Sequence, residues 1–292
     1  YASLGKQLGM YGNKGGDLFL KQVDIILTLN PKTIILEMVP TALDVNNGFE
    51  VKWVLGKLMP SYHVNANIIP CWIHGDCTAR ERLFVCALRR DIFNDNTWEW
   101  PDPVCDESFY PVARDIASDD DLVPSNYWRH DRPYTYTDIK SPKPGSIQHI
   151  GYAGDPNQPK SAGFSANPHN IQGWDGVWAT QMGTNGGSRR PSLSWTPSDP
   201  ICDTRMTIPD ETCRVASLDE KSFIRFAKKH YNKSLGISFD QWLRELVNLG
   251  VPLCTGTAIV SRMGDMLDKA ACSPTDHCAH ASQCSAFNAT LT

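Results

Sequence analysis

The sequence predicts an α/β chain with a mostly parallel sheet and an inserted, loop-rich lobe. Three observations carry that expectation. Strand, helix and strand patterns alternate at short spacing through the first 93 residues, the texture turns irregular from 94 to 204, and helical periodicity returns after 205. In such sheets functional side chains gather at the carboxyl ends of the strands.

Taken in order, the glycine-rich turn of Gly12 to Gly16 is followed by Asp17 as a helix N-cap. Phe19, Val23, Ile26 and Leu27 then share one helical face until Asn30-Pro31 stops the helix. Thr33-Ile-Ile-Leu-Glu-Met-Val-Pro40 reads as a buried strand. Phe49, Trp53, Leu55 and Leu58 predict a second helix over 48–58, and Tyr62, Val64, Ala66 and Ile68 alternate as a half-buried strand. Leu83 to Leu88 is a further apolar strand. Six of the nine tryptophans fall between Asn94 and Thr204 among many prolines and glycines, with no long helical period. Helices are expected over Leu218–His230, Phe239–Val247 and Cys254–Ala270, the last with Ile259, Met263, Met266 and Leu267 on one face. The domain reading is residues 1–93 and 205–270 as one lobe, 94–204 as the insert, and 271–292 as a disordered tail.

At 292 residues, with 41% apolar and 21% charged residues, the chain can bury a substantial core. No uninterrupted apolar run reaches the eighteen or so residues of a membrane span, so no membrane partner is expected. A net charge of -4 argues against a general polyanion binder and leaves nucleic-acid contact to local basic patches. Ten scattered cysteines without a C-x-x-C pair suggest free thiols in a reducing compartment. Cys272, His277, Cys278, His280 and Cys284 crowd the tail, but their spacings match no standard zinc site, and no metal is expected.

One residue sits oddly in this scheme. Glu37 places a carboxylate near the end of a strand that otherwise reads as core, and an unpaired buried acid costs several kcal/mol. It should therefore face a site or pair with a cation, and the nearest candidates are Arg80 and Arg82 of Thr78-Ala-Arg-Glu-Arg82.

Four ordered stretches then resemble the DNA (cytosine-5) methyltransferases. They are Gly16-Asp-Leu-Phe19, Leu36-Glu-Met-Val39, Gly75-Asp-Cys-Thr-Ala-Arg-Glu-Arg82, and Arg205-Met-Thr-Ile-Pro-Asp-Glu211 followed by Arg214. Asp175-Gly-Val-Trp-Ala-Thr180 resembles the run that leads into the last of these, and Asn248-Leu-Gly-Val-Pro252 approximates the family's final motif. The sequence departs from the family pattern with Met38 for Asn, Cys77 for Pro, Thr78 for Gln and Leu249 for Asn.

The resemblance implies a Rossmann-like, S-adenosylmethionine-dependent methyltransferase fold, here truncated, with a target-recognition lobe. It implies methyl transfer to C5 of a cytosine flipped out of DNA, because the chemistry cannot reach a stacked base. In that family a cysteine thiolate adds to C6, and a carboxyl at the N3 edge supports the developing charge. Glu37 takes that second role, Arg82 contacts the base and holds Glu37, and Arg80 braces the loop carrying the nucleophile. Arg205 and Glu211 would clamp the two lobes. Leu18, Gly250 and Val251 fall at cofactor-binding positions. Arg132, Arg189 and Arg190, with Arg129, Lys140 and Lys143, are candidates for DNA contact.

The family's Pro-Cys nucleophile would lie just before Tyr1, so the chain is expected to be a C-terminal part, inactive alone. Its partners would be DNA, with RNA compatible with the same motifs, and the missing N-terminal half or a partner methyltransferase. The expected location is the nucleus or another intracellular DNA compartment. The alternative reading is a catalytically degenerate, methyltransferase-like module that binds DNA or a partner.

Overall fold

The computed structural model describes residues 16–94, 98–104, 106–128, 134–136, 141–153, 169–178, 192–194 and 204–271. Helix α1 (Gly16–Leu29) leads into strand β1 (Thr33–Met38), helix α2 (Phe49–Leu58), strand β2 (Tyr62–Pro70) and strand β3 (Glu81–Arg89). These elements match the periodicities read from the sequence to within a few residues. Each local pattern, helical face, apolar run or alternation, was strong enough to specify its own element.

The sheet itself differs from expectation. Its order is β1-β3-β2, and β3 runs antiparallel to both neighbours, so the mostly parallel sheet is corrected. Only ten residues separate β2 from β3, including a one-turn 3-10 helix at Cys71–His74. That is too short for the helical crossover a parallel pair requires, and it suits an antiparallel return.

β3 is the central strand, and Arg82 to Leu88 is buried throughout. On one face Ile34, Leu36, Met38, Leu83, Val85 and Ala87 pack under Val51, Val54 and Leu58 of α2 and Val23 of α1. On the other, Phe84, Cys86 and Leu88 meet Ile259, Met263 and Met266 of the last helix. The result is helix, sheet and helix in three layers. β2 lies outside β3, and its expected alternation fails toward its end: Tyr62 is buried, but Ala66 and Ile68 are exposed because α2 covers only the strand's start.

Short helices α3 (Arg90–Phe93) and α4 (Ala113–Ile116) precede a five-stranded sheet. Its strands are β4 (Tyr134–Tyr136), β5 (His149–Ala153), β6 (His169–Gln172), β7 (Ser192–Ser194) and β8 (Thr204–Met206), paired in chain order with only β6–β7 parallel. The segment predicted to be loop-rich thus carries short strands that its glycines and prolines obscured. Helices α5 (Pro209–Arg214), α6 (Glu220–His230), α7 (Phe239–Leu249) and α8 (Leu253–Ala271) complete the fold.

By length and composition, Phe239–Ala271 is apolar enough to cross a membrane, although polar residues interrupt its apolar runs. The stretch is broken at Gly250–Pro252 into two helices, each burying one stripe: Leu243 and Val247 of α7, and Ile259, Met263 and Met266 of α8.

Candidate active site

The antiparallel pairing builds the site. Glu37 stands opposite Phe84 and Met38 opposite Leu83, so Arg82, at the start of β3, lies diagonally across from Glu37 on the same face. Ile69 of β2 pairs with Arg82 from the other side. The carboxyl ends of β1 and β2 therefore converge on the beginning of β3.

Arg82 Nε lies 2.5 Å from Glu37 Oε1, an ion pair without the alignment of a hydrogen bond. Arg82 Nη1 donates to the Glu81 carbonyl at 2.7 Å. The side chains are 11% and 31% exposed respectively, so the expectation of a buried acid is corrected: the arginine is the desolvated partner and the carboxylate reaches solvent. β1 alternates rather than burying both faces, and Glu37 lies on the face opposite Ile34, Leu36 and Met38. Met38, the departure from Asn, points into that core and leaves the Glu37 face unchanged. Burial pulls the Arg82 guanidinium down, and Glu37 opposes the shift.

Arg80 is buried and committed. It donates to Asn248 Oδ1 at 2.6 Å, the Asn248 carbonyl at 2.7 Å and the Gly250 carbonyl at 2.8 Å. Burial first, then the neighbouring Arg82, lowers it to about 10, which leaves it charged at neutral pH. Among the described residues its hydrogen bonds go to the last turn of α7 and to Gly250 just after it, beside Val251.

Asp76, four residues earlier, was not singled out from the sequence. Its fully buried carboxylate accepts from Thr255 N at 2.8 Å, Thr255 Oγ1 at 2.6 Å, Cys254 N at 3.2 Å and Ser217 Oγ at 2.7 Å. It caps α8 from across the fold. Pro252, just before that helix, offers no side-chain acceptor for the free N–H groups of the first turn, and that lack was the available signal. The turn from Gly75 to Arg80 therefore holds the start of α8 at two points. The same turn meets the insert: Ala79 N donates to the Trp178 carbonyl at 2.6 Å, and Cys77, Trp174 and Trp178 share a buried cluster. Within the insert, Gly176 lets the segment pack against Ser146 to Gln148, since a Cβ there would stand 2.2 Å from the Gln148 backbone nitrogen.

Arg205 and Glu211 form a fully buried bidentate pair at 2.8 and 3.0 Å. Glu211 Oε1 also accepts from Ser118 N, and the guanidinium lies over the Trp174 ring, so this pair ties α5 to the segment before it. Leu18 falls in the first turn of α1. Lys143 is exposed, while Arg129, Arg132, Lys140, Arg189, Arg190 and the Cys/His tail lie outside the described residues.

All five described cysteines are free. Burial pushes Cys71 up to about 11 and Cys77, Cys86 and Cys213 up to about 12, and it also raises Cys254. A thiol in that range is not an attacking thiolate at neutral pH.

The profile of the C-5 cytosine-specific DNA methylases matches residues 1–235. The chain belongs to that family. A search of curated proteins returns no match. Among solved structures, this methylase is similar to a DNA modification methyltransferase encoded within an E. coli prophage, at 14% identity and a TM-score of 0.54, over 89% of this chain and 77% of the other. It is also similar to the S. pombe Dnmt2 methyltransferase, at 14% identity and a TM-score of 0.51, over 87% and 71% of the two chains. A DNMT2 mutant from Spodoptera frugiperda matches at 14% identity and a TM-score of 0.50, over 86% and 71%. At this identity the structures speak to the fold, which is that of the Rossmann-like methyltransferases, and the family match speaks to DNA methylation.

Proposed function

We propose that the methylase presents the Glu37–Arg82 pair to a cytosine flipped out of DNA, as one half of the pocket in which C5 is methylated. The observation that supports this most directly is the asymmetry of the pair: a desolvated arginine holds a carboxylate that still reaches solvent at the carboxyl end of β1. A carboxyl in this position can bond the N3 edge of the base and supply a proton there as charge develops, while Arg82 fixes its orientation.

The cofactor of this reading is S-adenosylmethionine, which when bound supplies an electrophilic methyl group. The residues present suit one side of its site. Gly250 is exposed with its carbonyl gripped by Arg80, Leu249 beside it leaves an apolar side chain 83% exposed, and Val251 is half-buried. Gly250 and Val251 would line that side, and the family resemblance assigns Leu18 to the same cofactor. The attacking thiolate comes from outside the described cysteines, because each of those is held protonated by burial. On this reading residues 1–292 by themselves transfer no methyl group.

Incubating purified residues 1–292 with labelled S-adenosylmethionine and duplex DNA should give no labelled DNA. In a methylation-competent form of the protein, Glu37→Gln should lower turnover about 100-fold or more while changing DNA affinity less than about threefold. Equal loss of turnover and affinity would assign Glu37 a structural role instead.

A further inference from the structure

Helix α6 carries a feature that the site above does not use. Lys221, Arg225 and Lys229 follow one another at four-residue spacing, so one ridge of the helix is cationic along its length, and Lys233 lies just past the extended residues that end the helix. All four residues are exposed. Among the described residues none of them forms an ion pair, and the only carboxylates on the same stretch are Asp219 and Glu220 at its start. Like charges four apart destabilise a helix by roughly 0.2–0.5 kcal/mol per pair, so folding gains nothing from this arrangement.

The opposite face explains why the helix forms. Ala227 is buried and Phe223 and Ile224 are half-buried against Leu243 and Val247 of α7, while Asp219 caps the N-terminus by accepting from Ser222 N at 2.8 Å. Beside the ridge, Phe226 is 52% exposed and its ring lies 4.5 Å from that of His230. Lys221 and Lys228 also line a cleft of about 470 Å³ with Asp210, Glu220 and Asp240. Those acids balance the cations on that flank, Asp219 at the helix start acts on Lys221 and Arg225, and among the described residues no acid pairs with Lys229 or Lys233. This concentration of positive charge stands in a chain whose net charge is -4.

We infer that the α6 ridge is a docking surface for the phosphate backbone of duplex DNA, a second contact that holds the substrate independently of the base pocket. The inference rests on the DNA reading of the preceding section and adds to it a surface and a chemistry. Successive cations rise about 6 Å along the helix, and a duplex presents a phosphate every 3.4 Å along each strand, so the row can face several phosphates at once. An exposed aromatic pair beside the cations adds contact area without sequence preference. Binding of this kind positions the duplex and reads no base.

The test is the salt dependence of binding of residues 1–292 to a 20-base-pair duplex, compared with the triple variant Arg225→Gln, Lys229→Gln, Lys233→Gln. The variant should melt at or slightly above the wild-type temperature, since like-charge pairs have been removed. Its plot of log affinity against log salt should be shallower by about 2 to 3, with affinity near 0.1 M salt reduced about 100-fold. A wild-type protein that binds while the variant binds with an unchanged slope overturns the ridge and leaves the methylase reading standing. No duplex binding by the wild type overturns both. Vesicles containing 30% phosphatidylserine serve as a second probe: vesicle binding lost in the variant, with duplex binding retained, would assign the ridge to a membrane surface and overturn the proposal.

Discussion

Replacing Asp76 with alanine removes an acceptor from four donors at once: two backbone N–H groups in the first turn of α8 and the hydroxyls of Thr255 and Ser217. The Thr255 hydroxyl keeps an alternative in the Cys71 carbonyl at 3.3 Å, so its loss is partial. An N-cap is worth about 1 kcal/mol, and hydrogen bonds to a charged acceptor about 1.5–3 kcal/mol each before non-additivity. With Asp76 fully buried, no solvent replaces what is lost. The combined cost is about 4 kcal/mol, near the upper end for a single substitution. At roughly 2 °C per kcal/mol for a chain of this size, the melting temperature should fall by about 8 °C. Asp76→Asn keeps one acceptor oxygen but turns an amide against N–H donors, and should cost about half as much. Ser217→Ala removes a single bond and should cost about 1 kcal/mol. Circular dichroism melts of the three variants at pH 7.5 give the comparison. An alanine variant within about 2 °C of wild type, or one no worse than Ser217→Ala, would refute the capping role.

Two further outcomes are expected. His74 is buried, both its ring nitrogens lack a partner among the described residues, and burial lowers its pKa against the opposing pull of Asp76. The unfolded chain then takes up a proton near the ordinary value of 6.5 while the folded chain does not, so stability falls as pH drops below that value. The limiting slope for one proton is about 1.4 kcal/mol per pH unit. Denaturant midpoints between pH 7.5 and 5.5 should show it, and His74→Leu should flatten it; an equal slope in both proteins would rule out His74 as its source. Iodoacetamide at pH 7.5 should leave Cys71, Cys77, Cys86 and Cys213 unmodified in the folded chain and label all four in urea, as read by mass spectrometry of peptides. Rapid labelling of Cys77 in the folded state would reopen it as a nucleophile.

Much of this molecule was legible in the sequence because its signals are local. The apolar runs of Thr33–Leu36 and Leu83–Leu88 and the 3.6-residue stripe of Ile259, Met263 and Met266 each specify an element through side chains a few positions apart. The family motifs were legible for the same reason, and they singled out Glu37 and Arg82 as partners before their geometry was known. What the tertiary structure alone decided was direction and company. Whether β3 runs with or against β1 depends on contacts between residues some fifty apart, which no local window samples, and the antiparallel choice is what carries Arg82 to Glu37. The same limit hid Asp76: its chemistry is that of an N-cap, but the helix it caps begins 177 residues later, so only the folded chain brings the acceptor to its donors. Burial followed the same rule. The sequence placed an acid near the end of a strand, and the packing of the layers on either side made the arginine, and not the acid, the group withdrawn from water.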